Sequence, residues 1–246
     1  MNVVGVIPAR FHSARLEGKP LALIGGRPMI QHVYERAAKS ALLTDLLVAT
    51  DDARIFDAVS RFGGKAVMTS PTHRSGTDRV AEATAQADAD VVVNIQGDEP
   101  FISPRVIDQL VQPFHSESGV EMSTLMRPID NDRDLQDPNV VKVVADQSGF
   151  ALYFSRSLIP YPRNASPDHP AFEHIGLYAY TKTFLTEYSQ MAPTRLERIE
   201  GLEQLRALEN GRRIRVVETH DHLGLSVDTP ADLARAERFL AQSPNL

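Results

Sequence analysis

The sequence predicts an α/β fold with a mainly parallel β-sheet flanked by helices. Short apolar runs, such as residues 3–7 and 91–95, alternate with helix-like stretches along the first half of the chain. These runs are continuously apolar rather than alternating, which indicates strands that are buried on both faces. In such folds ligands bind beyond the carboxyl ends of the strands, so functional residues are expected in the segments that follow them.

Four strand candidates in the first half are each followed by a helix candidate. Pro28 suits the first position of the first helix, and Asp52 or a neighbour can cap the second helix with a side-chain oxygen. Gly63 and Gly64 are typical of the end of that second helix. The predicted strands cover residues 3–7, 46–49, 66–68 and 91–95, and the predicted helices cover 28–41, a segment around 55–59, 78–87 and a segment that opens at 103.

The second half is less regular and is richer in predicted β-structure. Asp-Gln-Ser-Gly at 146–149 is typical of a hairpin turn, and the prolines within 160–170 predict an exposed loop. Further strands are predicted at 140–145, 150–154, 174–180 and 213–217, an amphipathic helix at 196–208, and a last helix from 229 to 240. We therefore expect a single domain over residues 1–246, with a β-rich insertion at about 145–195.

Composition excludes several classes of site. The chain has 246 residues, no cysteine and a formal net charge of -6. The absence of cysteine rules out disulfides, thiolate zinc sites, iron–sulfur clusters and cysteine nucleophiles. The acidic balance argues against a nucleic-acid partner, and no apolar run approaches the roughly 18 residues that a membrane helix needs. Because the N-terminus also lacks a signal-peptide pattern, we expect a cytoplasmic protein without membrane insertion.

The segment after the first predicted strand concentrates positive charge. Arg10, Arg15 and Lys19 lie there beside Gly18 and between two prolines. Three cations at the carboxyl end of a strand favour an anion site, most naturally for a polyphosphate, although a solvated basic loop explains them equally well. The chain has no Walker A sequence and no G-x-G-x-x-G, and the missing glycine fingerprint counts against a dinucleotide-binding oxidoreductase.

Two carboxylates also stand at informative positions. Asp98 follows the most apolar strand candidate, and Asp228 precedes the last predicted helix. Carboxylate oxygens suit Mg²⁺, a hard ion that often bridges to substrate phosphates. Helix capping is the simpler alternative for both residues, and sequence spacing alone does not show whether they converge.

Other polar side chains have a structural and a functional interpretation. The segment 73–79 joins a strand to a helix, and backbone N–H groups near Gly76 could bind a nucleotide, although an ordinary connection is the simpler interpretation. His174 and Tyr178 are four residues apart, which places both on one face of a strand. The candidates in the second half are Arg156, His174, Tyr178, Glu203 and Gln204.

Seven segments, which occur in a fixed order, carry a specific resemblance. They are Ile-Pro-Ala-Arg-x-x-Ser-x-Arg-Leu-x-Gly-Lys-Pro-Leu (7–21), Ser-Gly-Thr-Asp-Arg (75–79), Asn-Ile-Gln-Gly-Asp-Glu-Pro (94–100), Tyr-Phe-Ser-Arg (153–156), His-Ile-Gly-Leu-Tyr (174–178), Leu-Glu-Gln-Leu-Arg (202–206) and Val-Asp-Thr-Pro-x-Asp-Leu (227–233). Over nearly its whole length the chain resembles the 3-deoxy-manno-octulosonate cytidylyltransferases, the CMP-Kdo synthetase family.

The resemblance implies an activity and a setting for it. It implies a Rossmann-like nucleotidyltransferase fold and the Mg²⁺-dependent transfer of CMP from CTP to 3-deoxy-D-manno-octulosonate (Kdo). The products are pyrophosphate and CMP-Kdo, the activated sugar used in lipopolysaccharide biosynthesis. It also implies a homodimer in which the β-rich middle region supplies the contact.

The resemblance also implies a role for each candidate residue. Arg10, Arg15 and Lys19 would bind and neutralise the triphosphate, and Asp98 and Asp228 would hold the metal. The implied catalytic set is Arg10, Arg15, Lys19, Asp98 and Asp228; the nucleotide contacts are Arg10, Arg15, Lys19, Ser75, Gly76, Thr77 and Gln96; and the sugar contacts are Arg156, His174, Tyr178, Glu203 and Gln204. Glu17 departs from the proline that many members carry there, and we expect its carboxylate to face solvent.

Three other functions stay open at the level of sequence. The acceptor could be 8-amino-Kdo or a sialic acid, because a few side chains can distinguish one substituent of a sugar. The chain could be a non-catalytic nucleotide-binding protein on the same fold, although the paired carboxylates and the cationic loop argue against it. An NAD-dependent oxidoreductase is weakened by the missing glycine fingerprint.

Overall fold

The computed structural model describes residues 1–13, 15–73, 75–164, 170–221 and 224–243. The chain divides into two compact units, residues 1–108 with 221–246 and residues 109–220. In chain order the elements are β1 (Val3–Ala9), β2 (Leu23–Ile24), β3 (Arg27–Pro28), α1 (Met29–Ala37), β4 (Asp45–Thr50), α2 (Ala53–Arg61), β5 (Ala66–Met68), α3 (Gly76–Thr84), β6 (Val91–Asn94), α4 (Pro104–Ser116), β7 (Met122–Pro128), α5 (Asp132–Gln136), β8 (Lys142–Ala145), β9 (Ala151–Ser155), β10 (Phe172–Thr181), α6 (Lys182–Gln190), α7 (Arg195–Glu200), α8 (Leu205–Glu209), β11 (Arg215–Glu218) and α9 (Pro230–Gln242).

The first unit contains a parallel sheet with the strand order β6-β1-β4-β5. Val6 and Ile7 are neighbours on β1 and both are fully buried, as are Val92 and Val93 on β6. Successive strand residues point to opposite faces, so both faces of this sheet are covered. The four strands share one carboxyl edge, from which the loops after Ala9, Thr50, Met68 and Asn94 depart. The predicted α/β fold is confirmed.

Side-chain caps set where three helices of this unit begin. Asp52 accepts a hydrogen bond from the backbone N–H of Arg54 and caps α2, as the sequence predicts. Ser75 and Thr229 form capping boxes with Asp78 and Asp232 at the starts of α3 and α9. The predicted first helix ends earlier than expected, at Ala37 rather than residue 41.

An apolar cluster anchors α9 in the first unit. Ile24, Met29, Phe101, Val227 and Ala236 are buried together, and partly buried residues of α9 pack against them. Val227 also donates its backbone N–H to the carbonyl of Asp98, at 2.9 Å. The cluster therefore fixes the backbone on which Asp98 and Asp228 stand.

The second unit is richer in antiparallel pairing. Its sheet follows the order β11-β7-β10, with β8 paired to β10 and β9 paired to β8. The predicted hairpin across 146–149 is confirmed by the antiparallel β8–β9 pair. In β10 the register against β7 shifts between Ile175 and Tyr178, so Gly176 and Leu177 form a bulge. The predicted single domain with a β-rich insertion at about 145–195 stays a prediction.

The predicted helix over 196–208 is wrong. The chain forms α7, leaves helical geometry at Gly201, and resumes as α8. Gly201 has a φ of 63°, a left-handed conformation that glycine adopts without a Cβ clash and that ends helices.

The proline-rich loop is exposed at 160–164 and 170, and residues 165–169 lie outside the described residues. Among the described residues, no helix combines the length and the apolarity needed to cross a bilayer.

Candidate active site

A cavity of about 310 Å³ opens in the first unit at the carboxyl edge of its parallel sheet. The loops after β1, β5 and β6 line it, together with the residue that precedes the cap of α9. The lining residues are Pro8, Ala9, Arg10, Ser13, Arg15, Lys19, Pro20, His73, Ser75, Gly76, Arg79, Gln96, Gly97, Asp98 and Asp228. Three of the segments that follow strands thus line one cavity, and the two carboxylates, whose convergence the sequence spacing left open, line it as well.

Lys19 lies between the two carboxylates. Its Nζ is 2.8 Å from Oδ2 of Asp98 and 3.0 Å from Oδ1 of Asp228. Arg15 also reaches Asp228, with 3.1 Å between Nη2 and Oδ1. Side-chain exposure is 17% for Lys19, 27% for Asp98 and 30% for Asp228, so the cluster is partly open to solvent. Lys19, with Arg15, therefore balances a pair of carboxylates that lie far apart in the sequence.

The charge on Lys19 is stabilised by its partners. Burial alone would lower its pKa, but the charges and hydrogen bonds of Asp98 and Asp228 outweigh desolvation and raise the pKa above its ordinary value. Lys19 thus stays protonated at neutral pH. Its ammonium group lies between the two carboxylates.

The alternative that these aspartates merely cap helices is wrong. Asp98 lies well before α4, and the cap of α9 is the hydroxyl of Thr229 rather than Asp228. The carboxylate of Asp232 accepts the backbone N–H groups of Asp228 and Thr229, at 3.2 and 3.0 Å. This fixes the backbone of Asp228 and leaves its own carboxylate for the cavity.

Phe11 and Arg54 hold the cationic loop in place. The backbone N–H of Gly18 donates to the carbonyl of Phe11 at 2.9 Å, and Gly18 has the left-handed φ of 66°. A Cβ at Gly18 would lie 3.1 Å from the Phe11 ring, so the backbone packs directly on that ring. The guanidinium carbon of Arg54 is 3.3 Å from the centre of the Phe11 ring, and Asp52 accepts two hydrogen bonds from that guanidinium group. Glu17 faces solvent as expected, with 73% of its side chain exposed.

The start of α3 brings backbone N–H groups to the cavity. Ser75 and Gly76 line the cavity at the first turn, where backbone N–H groups lack helical partners. Thr77 is buried and is not part of the cavity lining, and Arg74 lies outside the described residues. A Cβ at Gly97 would lie 3.0 Å from the carbonyl oxygen of Pro8, so a larger residue would push the two loops apart.

Sequence reasoning missed Arg79 as a functional candidate. Its side chain is 5% exposed, donates to Oδ2 of Asp51 at 2.8 Å and to the hydroxyl of Thr69, and lines the cavity. It ties α3 to the ends of β4 and β5. The sequence feature that could have indicated it is that Arg79 ends the Ser-Gly-Thr-Asp-Arg segment, close to the start of α3.

The donor set of this cavity fits a magnesium ion. Asp98 and Asp228 offer hard carboxylate oxygens, and Lys19 shows that the space between them accepts positive charge. Among the residues described by the structure, no group of three or more His, Cys, Asp or Glu side chains has the arrangement of a metal cage. A pair of carboxylates suits Mg²⁺, which keeps several waters and is completed by substrate phosphates.

A second polar cluster lies in the second unit and is largely uncharged. The rings of His174 and Tyr178 are 5.5 Å apart, and Phe154 meets His174 edge-on at 4.8 Å. Nε2 of Gln204 is 3.5 Å from Nδ1 of His174. Burial lowers the pKa of His174 to about 3, so its imidazole is neutral. Burial, helped by the charge of Glu203, raises the pKa of Tyr178 well above its ordinary value.

Arg156 is held by backbone carbonyls. Its Nε donates to the carbonyl of Glu200 at 2.6 Å and its Nη1 to that of Pro138 at 2.8 Å. Lys142, which is fully buried, donates to the carbonyl of Arg156 at 3.3 Å. The guanidinium group is thus fixed in direction, and a planar donor of this kind suits a carboxylate.

Comparisons with known proteins agree on one family. The family model described as cytidylyltransferase matches residues 4–214. The chain is 52% identical to the 3-deoxy-manno-octulosonate cytidylyltransferase of Syntrophotalea carbinolica, over 98% of this chain and 99% of that protein. It is 53% identical to that of Solibacter usitatus, over 98% and 96%. A solved CMP:2-keto-3-deoxy-manno-octonic acid synthetase, complexed with CTP, matches with a TM-score of 0.95 and 46% identity over 99% of this chain and all of that one.

Proposed function

Because this chain belongs to the 3-deoxy-manno-octulosonate cytidylyltransferase family, we propose that it transfers CMP from CTP to Kdo and releases pyrophosphate. The observation that carries the proposal is the cavity of the first unit, where Arg10, Arg15 and Lys19 meet Asp98 and Asp228. Cations that bind phosphates and carboxylates that bind a metal are the two components that nucleotidyl transfer requires.

The cations have separate tasks in this proposal. Arg10 and Arg15 are exposed residues that line the cavity, and in this proposal they bind the outer phosphates of CTP. Lys19 is the most buried of the three and is held in place by two carboxylates. It supplies fixed positive charge to the phosphate oxygens on which negative charge develops during transfer. Ser75, Gly76 and Gln96 complete the nucleotide contacts from the neighbouring loops.

Asp98 and Asp228 would hold the magnesium ion. When bound, the ion would neutralise phosphate oxygens and lower the pKa of the sugar hydroxyl that attacks. The two carboxylates are already positioned by the Val227–Asp98 backbone hydrogen bond and by Asp232. The metal and the triphosphate would therefore enter a site whose ligands are built on rigid backbone.

The second unit supplies the proposed contacts to the acidic sugar. Arg156 is the cationic partner for the sugar carboxylate, and His174, Tyr178, Glu203 and Gln204 are the partners for its hydroxyl groups. Buried neutral groups such as those of His174 and Gln204 reject a sugar with the wrong substituent, because a polar group of the site would be left unpaired. The support is that Tyr178 and Gln204 both contact the neutral imidazole of His174.

Dimerisation through the β-rich region is also proposed. Leu152 and Tyr161 lie in this region with 63% and 84% of their surfaces exposed. Large exposed apolar side chains of this kind are typical of contact surfaces. Light scattering after size exclusion tests this: a dimeric mass is expected, and a monomeric mass at micromolar concentration would contradict it.

The direct test is pyrophosphate release from each nucleoside triphosphate in the presence of Mg²⁺ and Kdo. We expect pyrophosphate release with CTP and with no other nucleoside triphosphate. A chelator should abolish that release. Parallel reactions with 8-amino-Kdo and with sialic acid separate the acceptors. Release with either of these and not with Kdo would change the acceptor, and no release with any acceptor would leave only the nucleotide-binding alternative.

A further inference from the structure

Thr124 occupies a position in the second unit to which no role is yet assigned. It is fully buried on β7, opposite the bulge that Gly176 and Leu177 form in β10. Its Oγ1 lies 2.9 Å from Nε2 of His174, 3.1 Å from the carbonyl oxygen of Ile175 and 2.8 Å from that of Leu177. The hydroxyl thus fills the opening of the bulge, a type of irregularity that often lies next to active sites.

The count of hydrogens assigns each contact a direction. A threonine hydroxyl has one hydrogen to donate and two lone pairs to accept with. The carbonyl oxygens of Ile175 and Leu177 can only accept, so the hydrogen of Thr124 goes to them. Oγ1 must then accept from His174, which places a hydrogen on Nε2. Because burial keeps the imidazole neutral, with its pKa lowered to about 3, Nδ1 carries no hydrogen.

The tautomer of His174 in turn orients Gln204. An unprotonated Nδ1 accepts a hydrogen bond, so the amide arm facing it at 3.5 Å is the Nε2 donor. The opposite orientation would bring the carbonyl oxygen of Gln204 against the lone pair of Nδ1. Gln204 is 4% exposed, and its other arm is then the carbonyl oxygen, a group that can accept a hydrogen bond from a hydroxyl.

We propose that Thr124 is a positioning residue for acceptor binding: its hydroxyl holds His174 as the Nε2–H tautomer and so presents Gln204 to the sugar as a hydrogen-bond acceptor. This inference rests on the proposed function, since it assigns a direction to two of the proposed sugar contacts. Phe154 and Tyr178 hold the same imidazole from its flanks, at ring distances of 4.8 and 5.5 Å, but neither fixes where its hydrogen lies.

The test is the tautomer itself, read by nitrogen-15 NMR on the full chain with labelled histidine. A His174→Gln variant assigns the resonance. In the wild type we expect a protonated Nε2 and an unprotonated Nδ1, unchanged between about pH 5 and 8. Thr124→Val removes the acceptor at nearly constant shape, so the Nδ1–H tautomer should become populated, while Thr124→Ser should restore the wild-type spectrum.

Kinetics then connect the tautomer to the sugar. Thr124→Val should raise KM for Kdo about tenfold, the loss of roughly one well-placed hydrogen bond, with KM for CTP unchanged and Thr124→Ser close to wild type. An unchanged Nε2–H tautomer in Thr124→Val, or a changed tautomer with an unchanged KM for Kdo, would overturn the proposal.

Two further outcomes distinguish a failure of this proposal from a failure of folding or of the proposed function. If Thr124→Val does not fold, Gln204→Leu serves instead. This variant should keep the Nε2–H tautomer of His174, because Thr124 still fixes it. An Nδ1–H signal in the wild type or in Gln204→Leu would refute the assignment. If the wild type shows the expected tautomer but no turnover with Kdo, the proposed function fails while the hydrogen-bond relay stands. That result would overturn the role of Thr124 in binding this sugar.

Discussion

The cavity of the first unit and the polar cluster of the second are built on opposite electrostatic principles. The cavity keeps its charges partly solvated, with Lys19, Asp98 and Asp228 each between 17% and 30% exposed. The cluster buries His174 and Gln204, which are 8% and 4% exposed, and it keeps the imidazole of His174 neutral, with the pKa lowered to about 3. Both sit where irregular backbone meets a strand.

The difference matches what each region is proposed to bind. A triphosphate and a divalent ion bring full charges, and partial solvation lets the side chains exchange partners without a large desolvation penalty. A sugar brings hydroxyl groups, which only a fixed direction of each hydrogen bond can distinguish. On this proposal, charge attracts the nucleotide in the first unit, and the fixed geometry of buried neutral groups selects the sugar in the second.

The largest expected effect comes from removing one carboxylate of the cavity. Asp98→Asn should lower kcat/KM by about a thousandfold or more, because the amide is a poor ligand for Mg²⁺ and leaves Lys19 with one charged partner. The melting temperature should change little, since Asp98 is partly exposed. Asp45→Asn is the matched control, because Asp45 also pairs with a lysine, Lys65, at an exposed site. A normally active Asp98→Asn enzyme would remove the metal assignment.

A substitution of Lys19 tests whether this residue stabilises the phosphates or only balances the charge of Asp98 and Asp228. Lys19→Gln should lower turnover about a hundredfold through loss of phosphate stabilisation. The same change should tighten binding of Mn²⁺ in the absence of nucleotide, measured by electron paramagnetic resonance, because the competing ammonium leaves the carboxylates.

Lys65→Gln is the control for Lys19→Gln, since it removes a lysine whose single carboxylate partner lies outside the cavity. Neither turnover nor Mn²⁺ binding should change in it. Weaker Mn²⁺ binding in Lys19→Gln would mean that Lys19 organises the carboxylates rather than occupying the place of the cation.

Sequence patterns predict the first region better than the second. Strand ends, caps and charged loops are local features, so the loops after β1 and β6 could be assigned to one edge of the sheet. The bridge from Lys19 to both aspartates could not, because it joins residues 79 and 209 positions apart. The Phe11–Arg54 contact was missed for the same reason.

In the second region, local sequence patterns do not predict the helix break at Gly201 or the role of Thr124. Helical periodicity continues across Gly201, so the pattern predicts one helix where the left-handed glycine makes two. Thr124 looks like any β-branched strand residue, and its role depends on a bulge in a strand 50 positions away. Tertiary contacts decide both outcomes.

The buried neutral imidazole predicts a specific dependence of stability on pH. His174 has a pKa of about 3 in the folded protein against 6.5 when unfolded, so between these values the unfolded chain binds more protons. Its contribution to stability is therefore full above the unfolded value and is lost as pH falls from about 6.5 toward 3, by up to about 1.4 kcal/mol per pH unit. Urea unfolding at several pH values should show a shallower acid dependence in His174→Gln than in the wild type. Equal slopes would mean that His174 is protonated in the folded state.

The smallest expected effect comes from removing one helix cap in each region, at Thr229 and at Thr181. Thr229 and Thr181 each accept a hydrogen bond from a backbone N–H at the start of their helices, at 3.2 Å, so alanine at either position should lower the free energy of unfolding by about 1 kcal/mol. Only Thr229→Ala loosens the turn in which Asp232 holds the backbone of Asp228. The Mg²⁺ concentration for half-maximal activity should therefore rise several-fold in Thr229→Ala and not in Thr181→Ala. An equal rise in both would show that general stability, rather than the position of Asp228, sets the metal requirement.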